Sequence, residues 1–173
     1  HTACRELAVK CYPCVSGLEH KHLSDLEREH LASAGQLAVK LLHAYDTSVP
    51  AGTSLYGVIK LPHARESIQT SAATVGDQDV VWDGKSYSLH INGSPTGPPP
   101  ELVLEMWRSM YFLLDQQLAS VSIPLLPLFI YPNITAERWF QLKDNEGNAW
   151  GMVLLQLTFM PQMSSLTATR PPR

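Results

Sequence analysis

The sequence predicts an all-β protein: an eight-stranded antiparallel β-sandwich preceded by a short N-terminal helical extension. Three observations carry this. Apolar residues recur with a period of two from Gln36 onward, the signature of strands with one buried face. Turn-forming clusters punctuate these runs at short, regular intervals. The 173-residue chain is 45% hydrophobic and only 17% charged, which suits one packed core and not a disordered chain.

The elements follow in order. Ser24 and Glu27 form a capping-box pair, which predicts a helix over about Asp25–Ser33 with Leu23, Leu26 and His30 or Leu31 facing the main body; Gly35 ends it. Leu37, Val39 and Leu41 alternate with smaller or polar residues in the first strand, and Leu55, Ile59 and Leu61 share one face of the second. A weaker strand spans Ser67 to Val75. Tyr87, Leu89 and Ile91 line the fourth, Leu102, Leu104 and Met106 the fifth, and Val121, Ile123 and Leu125 the sixth. A short piece at Trp139–Leu142 and the run Val153, Leu155, Leu157, Phe159 complete the set. The turns fall at Pro50-Ala-Gly, Gly76-Asp, Asp83-Gly, Gly93 to Pro100, Tyr131-Pro-Asn and Asp144-Asn-Glu-Gly. The expected organisation is an extension over residues 1–34, a sandwich over 35–162 and a flexible polar tail over 163–173.

Several function classes are disfavoured. A net charge of -3 gives no long-range attraction for nucleic acid. The densest apolar run, Val121 to Ile130, is broken by Pro124 and Pro127 and falls short of the about 20 residues that cross a bilayer. No nucleophile elbow, P-loop, HExxH or dinucleotide loop occurs, so a catalytic site is not expected and no cofactor is implied. Cys4, Cys11 and Cys14 lie with His20 and His22 in the extension. They include a lone CxxC, whose spacing fits no recognised zinc module, so no metal site is predicted. The odd cysteine count favours a reducing compartment, and the sequons at Asn92 and Asn133 are read as chance triplets. A chain opening on His1 suggests a fragment or a processed product.

The order of motifs from Leu37 to Pro161 resembles a C2 domain. Leu37-Ala-Val-Lys-Leu-Leu-His-Ala looks like the family's opening strand and Ser54-Leu-Tyr-Gly-Val-Ile-Lys-Leu like its second. Val80-Val-Trp-Asp followed by Tyr87-Ser-Leu-His-Ile is similar to the family's tryptophan corner and core strand. Leu102-Val-Leu-Glu-Met-Trp resembles the strand entering the third loop, and Asp115 to Leu125 the strand leaving it. Trp139-Phe-Gln-Leu and Gly151-Met-Val-Leu-Leu-Gln-Leu-Thr-Phe look like the closing pair, in the strand order of the phospholipase C and novel protein kinase C variant.

The resemblance implies a non-catalytic module that binds a protein partner or a membrane phospholipid surface, in the cytoplasm or peripheral at a membrane. The alternative is a structural subunit held permanently in a larger membrane-associated assembly. Calcium is not expected: of the aspartates the family uses, only Asp46 and Asp115 stand at matching positions, and Arg108 brings a cation to the third loop. What that loop offers is apolar. Trp107, Arg108, Met110, Tyr111, Phe112, Leu113 and Leu114 form the candidate interface, with inward packing as the competing reading. Lys40, Lys60, His63, Arg65 and Lys85 could line one sheet edge as a weak site for lipid headgroups, or be scattered solvated cations.

Overall fold

The computed structural model describes residues 34–62, 64–92 and 100–162. The expected extension helix, the cysteines, His63 and the tail from residue 163 lie outside the described residues.

Among the described residues, the period-two pattern resolves into ten strand segments and one short helix: β1 (Gly35–Tyr45), β2 (Ser54–Leu61), β3 (Glu66–Gln69), β4 (Ala73–Thr74), β5 (Asp79–Val81), β6 (Ser86–Ile91), β7 (Glu101–Arg108), β8 (Gln116–Pro124), α1 (Leu126–Ile130), β9 (Thr135–Lys143) and β10 (Ala149–Pro161). All pairings are antiparallel, in the order β3-β2-β7-β8-β9-β10-β1-β5, with β4 also on β2 and β6 also on β1. The weaker strand expected over Ser67 to Val75 is divided into β3 and β4, and β5 adds a short segment ahead of β6, which gives the ten.

This path folds over on itself into two layers. One holds β3 and β4, β2, β7 and β8; the other holds β9, β10, β1, and β5 with β6. A single residue pair, Ser120 with Lys143, joins β8 to β9. The layers face each other closely at Gly57, where a Cβ would lie 3.0 Å from Leu104 of its own layer and 3.1 Å from Leu41 of the opposite one. The inward sets are those the alternation predicts: Leu37, Val39 and Leu41; Leu55 and Ile59; Leu89; Leu102, Leu104 and Met106; Val153, Leu155 and Phe159. Burying each such side chain contributes about 1.5–3 kcal/mol before the cost of chain ordering is counted.

The broken edges have local causes. After Gln69 the ladder with β2 is taken over by Thr70, whose hydroxyl accepts from the Gly57 amide at 2.8 Å and donates to the Ser71 carbonyl at 2.9 Å. Ser71 then ties the two layers together at this edge. Its amide donates to the Tyr87 hydroxyl (2.8 Å), and its carbonyl accepts from Trp82 Nε1 (3.1 Å). The predicted tryptophan corner is therefore a cross-layer clasp.

Two further elements differ from expectation. β9 begins at Thr135, four residues before the predicted piece, because its polar residues pair with β10 while facing solvent. The end of the apolar run is the helix α1. Pro127 opens its first turn, and Phe129 meets Phe159 edge-on with ring centroids 4.4 Å apart.

Strand registers define two ends. β1 finishes at Tyr45 beside Asp79 and Met152, and β2 begins beside Thr74 and the Arg108 end of β7. Connections 46–53, 75–78, 109–115 and 144–148 therefore gather at one end, which we call the tip. The first two are tied by Gly52 N to Val75 O (2.9 Å) and Asp46 N to Gln78 O (3.2 Å). Gly151 permits β10 to pass under this end: a Cβ there would meet the Tyr45 carbonyl oxygen at 3.0 Å and that of Asp46 at 3.2 Å. The turn at 61–66, α1 and both ends of the sandwich lie opposite.

Candidate functional site

The tip is dominated by the β7–β8 connection. β7 delivers Trp107 and Arg108 half-buried at its end, and Ser109 N donates to the Ser54 carbonyl at 2.9 Å, anchoring the loop to β2. Met110 is half-buried. The next four side chains are not: Tyr111 is 92% exposed, Phe112 99%, Leu113 71% and Leu114 93%. No other described segment carries four consecutive large apolar side chains in solvent.

Asp115 closes the loop. One carboxylate oxygen accepts from the Met110 amide at 3.0 Å, so residues 110 and 115 are drawn together and 111–114 bulge out as a closed lobe. The other accepts from the hydroxyl of Tyr56 on β2 at 2.7 Å. These donors hold the Asp115 carboxyl below its ordinary range, the Tyr56 bond first and the Met110 amide second. Tyr56 moves the other way: burial, then its bond to Asp115, then the charge of Asp115 push its hydroxyl up to about 12. The sequence marks the lobe and Asp115 but not Tyr56 as a partner. The two lie 59 residues apart, so no local pattern signals the pair.

The acidic side chains of the tip are more numerous than the two expected. Asp77 and Asp79 join Asp46 around a shallow groove lined by Tyr45, Asp46, Asp77, Gln78 and Asp79. Asp77 arrives on the β4–β5 connection, which the sequence marks only as a turn, and Asp79 opens β5. Asp79 faces His43 Nε2 at 3.3 Å. Asp144 accepts from the amides of Glu146 (2.9 Å) and Asn148 (2.8 Å), so it is committed to its own turn, and its carboxyl is lowered, chiefly by the Asn148 amide. Among the described residues, no three His, Cys, Asp or Glu side chains converge as a metal site would require.

The basic set is not one edge. Lys40 leaves the middle of β1 on the outer face of one layer, with Lys85 next to its β6 partner Ser86 and 5.6 Å from the Tyr87 ring centroid. Lys60 leaves β2 on the opposite layer and is bound to Glu105 at 2.7 Å. Arg65 stands in the turn at the end remote from the tip. Of the two readings of these cations, the placement of Lys40 and Lys60 favours scattered cations over one edge. Alternation sends Lys40 and Lys60 outward from strands of different layers, and the carboxylate of Glu105 already engages Lys60. Near the tip, the outer face of the β9-containing layer holds Trp139 against Tyr45 (4.9 Å) and His43 (5.6 Å).

No family model matches the sequence, and no curated protein matches it either. Solved structures do. The first C2 domain of plant extended synaptotagmin 1 superposes with a TM-score of 0.63 at 14% identity, over 76% of this chain and 98% of that one. Human GIVD cytosolic phospholipase A2 gives 0.59 at 14%, over 76% of this chain but only 18% of the enzyme. The tandem C2 domains of extended synaptotagmin 2 give 0.58 at 20%, over 87% of this chain and 48% of that one. The chain has the fold of a C2 domain.

Proposed function

We propose that this chain is a non-catalytic interaction module, peripheral at a membrane or bound to a partner there, which docks through its 110–115 lobe without calcium. One observation carries the reading: four consecutive large apolar side chains stand in solvent on a loop whose two ends are hydrogen-bonded together. Isolated proteins rarely hold such a patch open unless something covers it. Pinning by Asp115 and Tyr56 lowers the entropy lost when the lobe is covered. Three features support calcium independence: Asp115 already has two donors, Arg108 adds a cation beside the loop, and the remaining tip carboxylates do not converge.

The test is one variant measured twice. Phe112→Asp with Leu113→Asp should abolish association while leaving the melting temperature within about a degree or two, since substituting exposed side chains that bury no contact and cap no helix shifts stability by about 0.5 kcal/mol or less. A melt that collapses would mean that these side chains pack inward and would remove the reading. Millimolar calcium should leave the wild-type melt unchanged; a rise of several degrees would show binding to the folded state and overturn calcium independence.

A further inference from the structure

Resting on that reading, we infer that the surface the lobe enters is an electrically neutral, phosphatidylcholine-type bilayer, and that an anionic leaflet repels the tip. The charges around the lobe argue for this. Asp46, Asp77, Asp79, Asp115, Asp144 and Glu146 all sit on the four tip connections or at their edges; among the described residues the lysine and arginine cations at this end are Arg108 and Lys143, and His43 faces Asp79 at 3.3 Å. The other cations weighed for lipid contact are elsewhere: Arg65 at the far end, Lys60 bound to Glu105, and Lys40 and Lys85 on strand flanks. The lobe therefore descends toward a surface inside a net acidic collar.

Apolar insertion depends on area buried and is indifferent to headgroup charge, so Tyr111, Phe112, Leu113 and Leu114 favour either kind of bilayer. The collar discriminates. At a leaflet potential of about -30 mV each uncompensated acidic charge lowers binding about threefold, and several such charges outweigh part of the apolar gain. A neutral headgroup layer imposes no such penalty. A bilayer also suits the shape better than a protein surface does. A standard protein interface buries about 800 Å² per partner, more than a four-side-chain projection offers, whereas fluid lipid closes around it.

The experiment is flotation of the full chain, in chelator, with vesicles of pure phosphatidylcholine and with a two-to-one mixture of phosphatidylcholine and phosphatidylserine. Binding to the pure vesicles is expected, with about tenfold weaker binding to the mixture at low salt and a gap that narrows as salt screens the collar. Asp77→Asn with Asp79→Asn should narrow the same gap while leaving binding to pure phosphatidylcholine unchanged. Phe112→Ser with Leu114→Ser should lower that binding at least tenfold. Stronger binding to the mixture, or a gap unmoved by the asparagine pair, overturns the charge argument. Binding to neither vesicle overturns the bilayer as occupant. If a protein partner is then held by the wild type and lost from the serine pair, the lobe reading still stands. Vesicle binding that the serine pair leaves intact removes the lobe and the inference together.

Discussion

At the scale of single residues, the contact that shapes the tip is the bond between Tyr56 and Asp115. Its two partners are driven apart in acidity, the hydroxyl up to about 12 and the carboxyl below its ordinary range, because the pair is stable only as phenol and carboxylate. The signs follow from linkage. The raised hydroxyl contributes stability that is complete below the unfolded value of about 10 and is lost as pH climbs toward the folded one. The lowered carboxyl contributes stability present above the unfolded carboxylate value and lost as pH falls through its own, lower one. Spectrophotometric titration should therefore find one tyrosine that stays protonated until about pH 12 and that is missing from Tyr56→Phe. In that variant the Asp115 carboxyl should titrate closer to its ordinary value by NMR, and the lobe should be cut faster by protease. An Asp115 titration unmoved by the substitution would show that the Met110 amide alone sets its charge. The lobe was legible in the sequence because four apolar residues in a row break the strand period. Its fastening was not, since it depends on β2 and β7 lying side by side.

At the scale of elements, period-two alternation located the long strands that bury one face, because that face forces the pattern into the chain; β9, mostly exposed, was found only in part. What it could not show was where edges break. Thr70 and Ser71 replace ladder bonds with side-chain and cross-layer bonds, and such substitutions leave no trace in hydrophobicity. Nor could it distinguish the end of β8 from α1: a proline-containing apolar run suits a buried strand or a short helix, and the choice is made by Phe129 finding Phe159. α1 has no charged or capping residue to hold it, so its stability comes from packing. Phe129→Ala should cost about 3–5 kcal/mol, read from the denaturation midpoint, through lost burial and the cavity left at the end of the core. A loss below about 1 kcal/mol would mean that the helix contributes little to closing that end.

At the scale of the whole molecule, the hydrogen-bond path determines which residues the sandwich needs. β1 lies between β10 and the β5–β6 edge, so the first and last described strands are neighbours, paired from Gly35 with Pro161 to Tyr45 with Met152 across a register shift between Leu41 and His43. The path continues one residue further, where Gln162 N donates to the Ala34 carbonyl at 2.8 Å. Among the described residues, the buried core cluster runs from Leu37 to Phe159. We therefore expect a chain that begins at Ala34 to fold alone. Keeping Ala34 matters, because its carbonyl receives that last bond. Such a chain should be soluble and melt in one cooperative transition, within a few degrees of the full-length protein, by circular dichroism at equal concentration. Its binding through the 110–115 lobe should be unchanged, since the lobe is at the opposite end of the strands from Ala34. A truncated chain that is insoluble, or that melts without cooperativity, would place part of the core before residue 34 and move the domain boundary. The tip and the sandwich would then have to be treated as one unit with that segment.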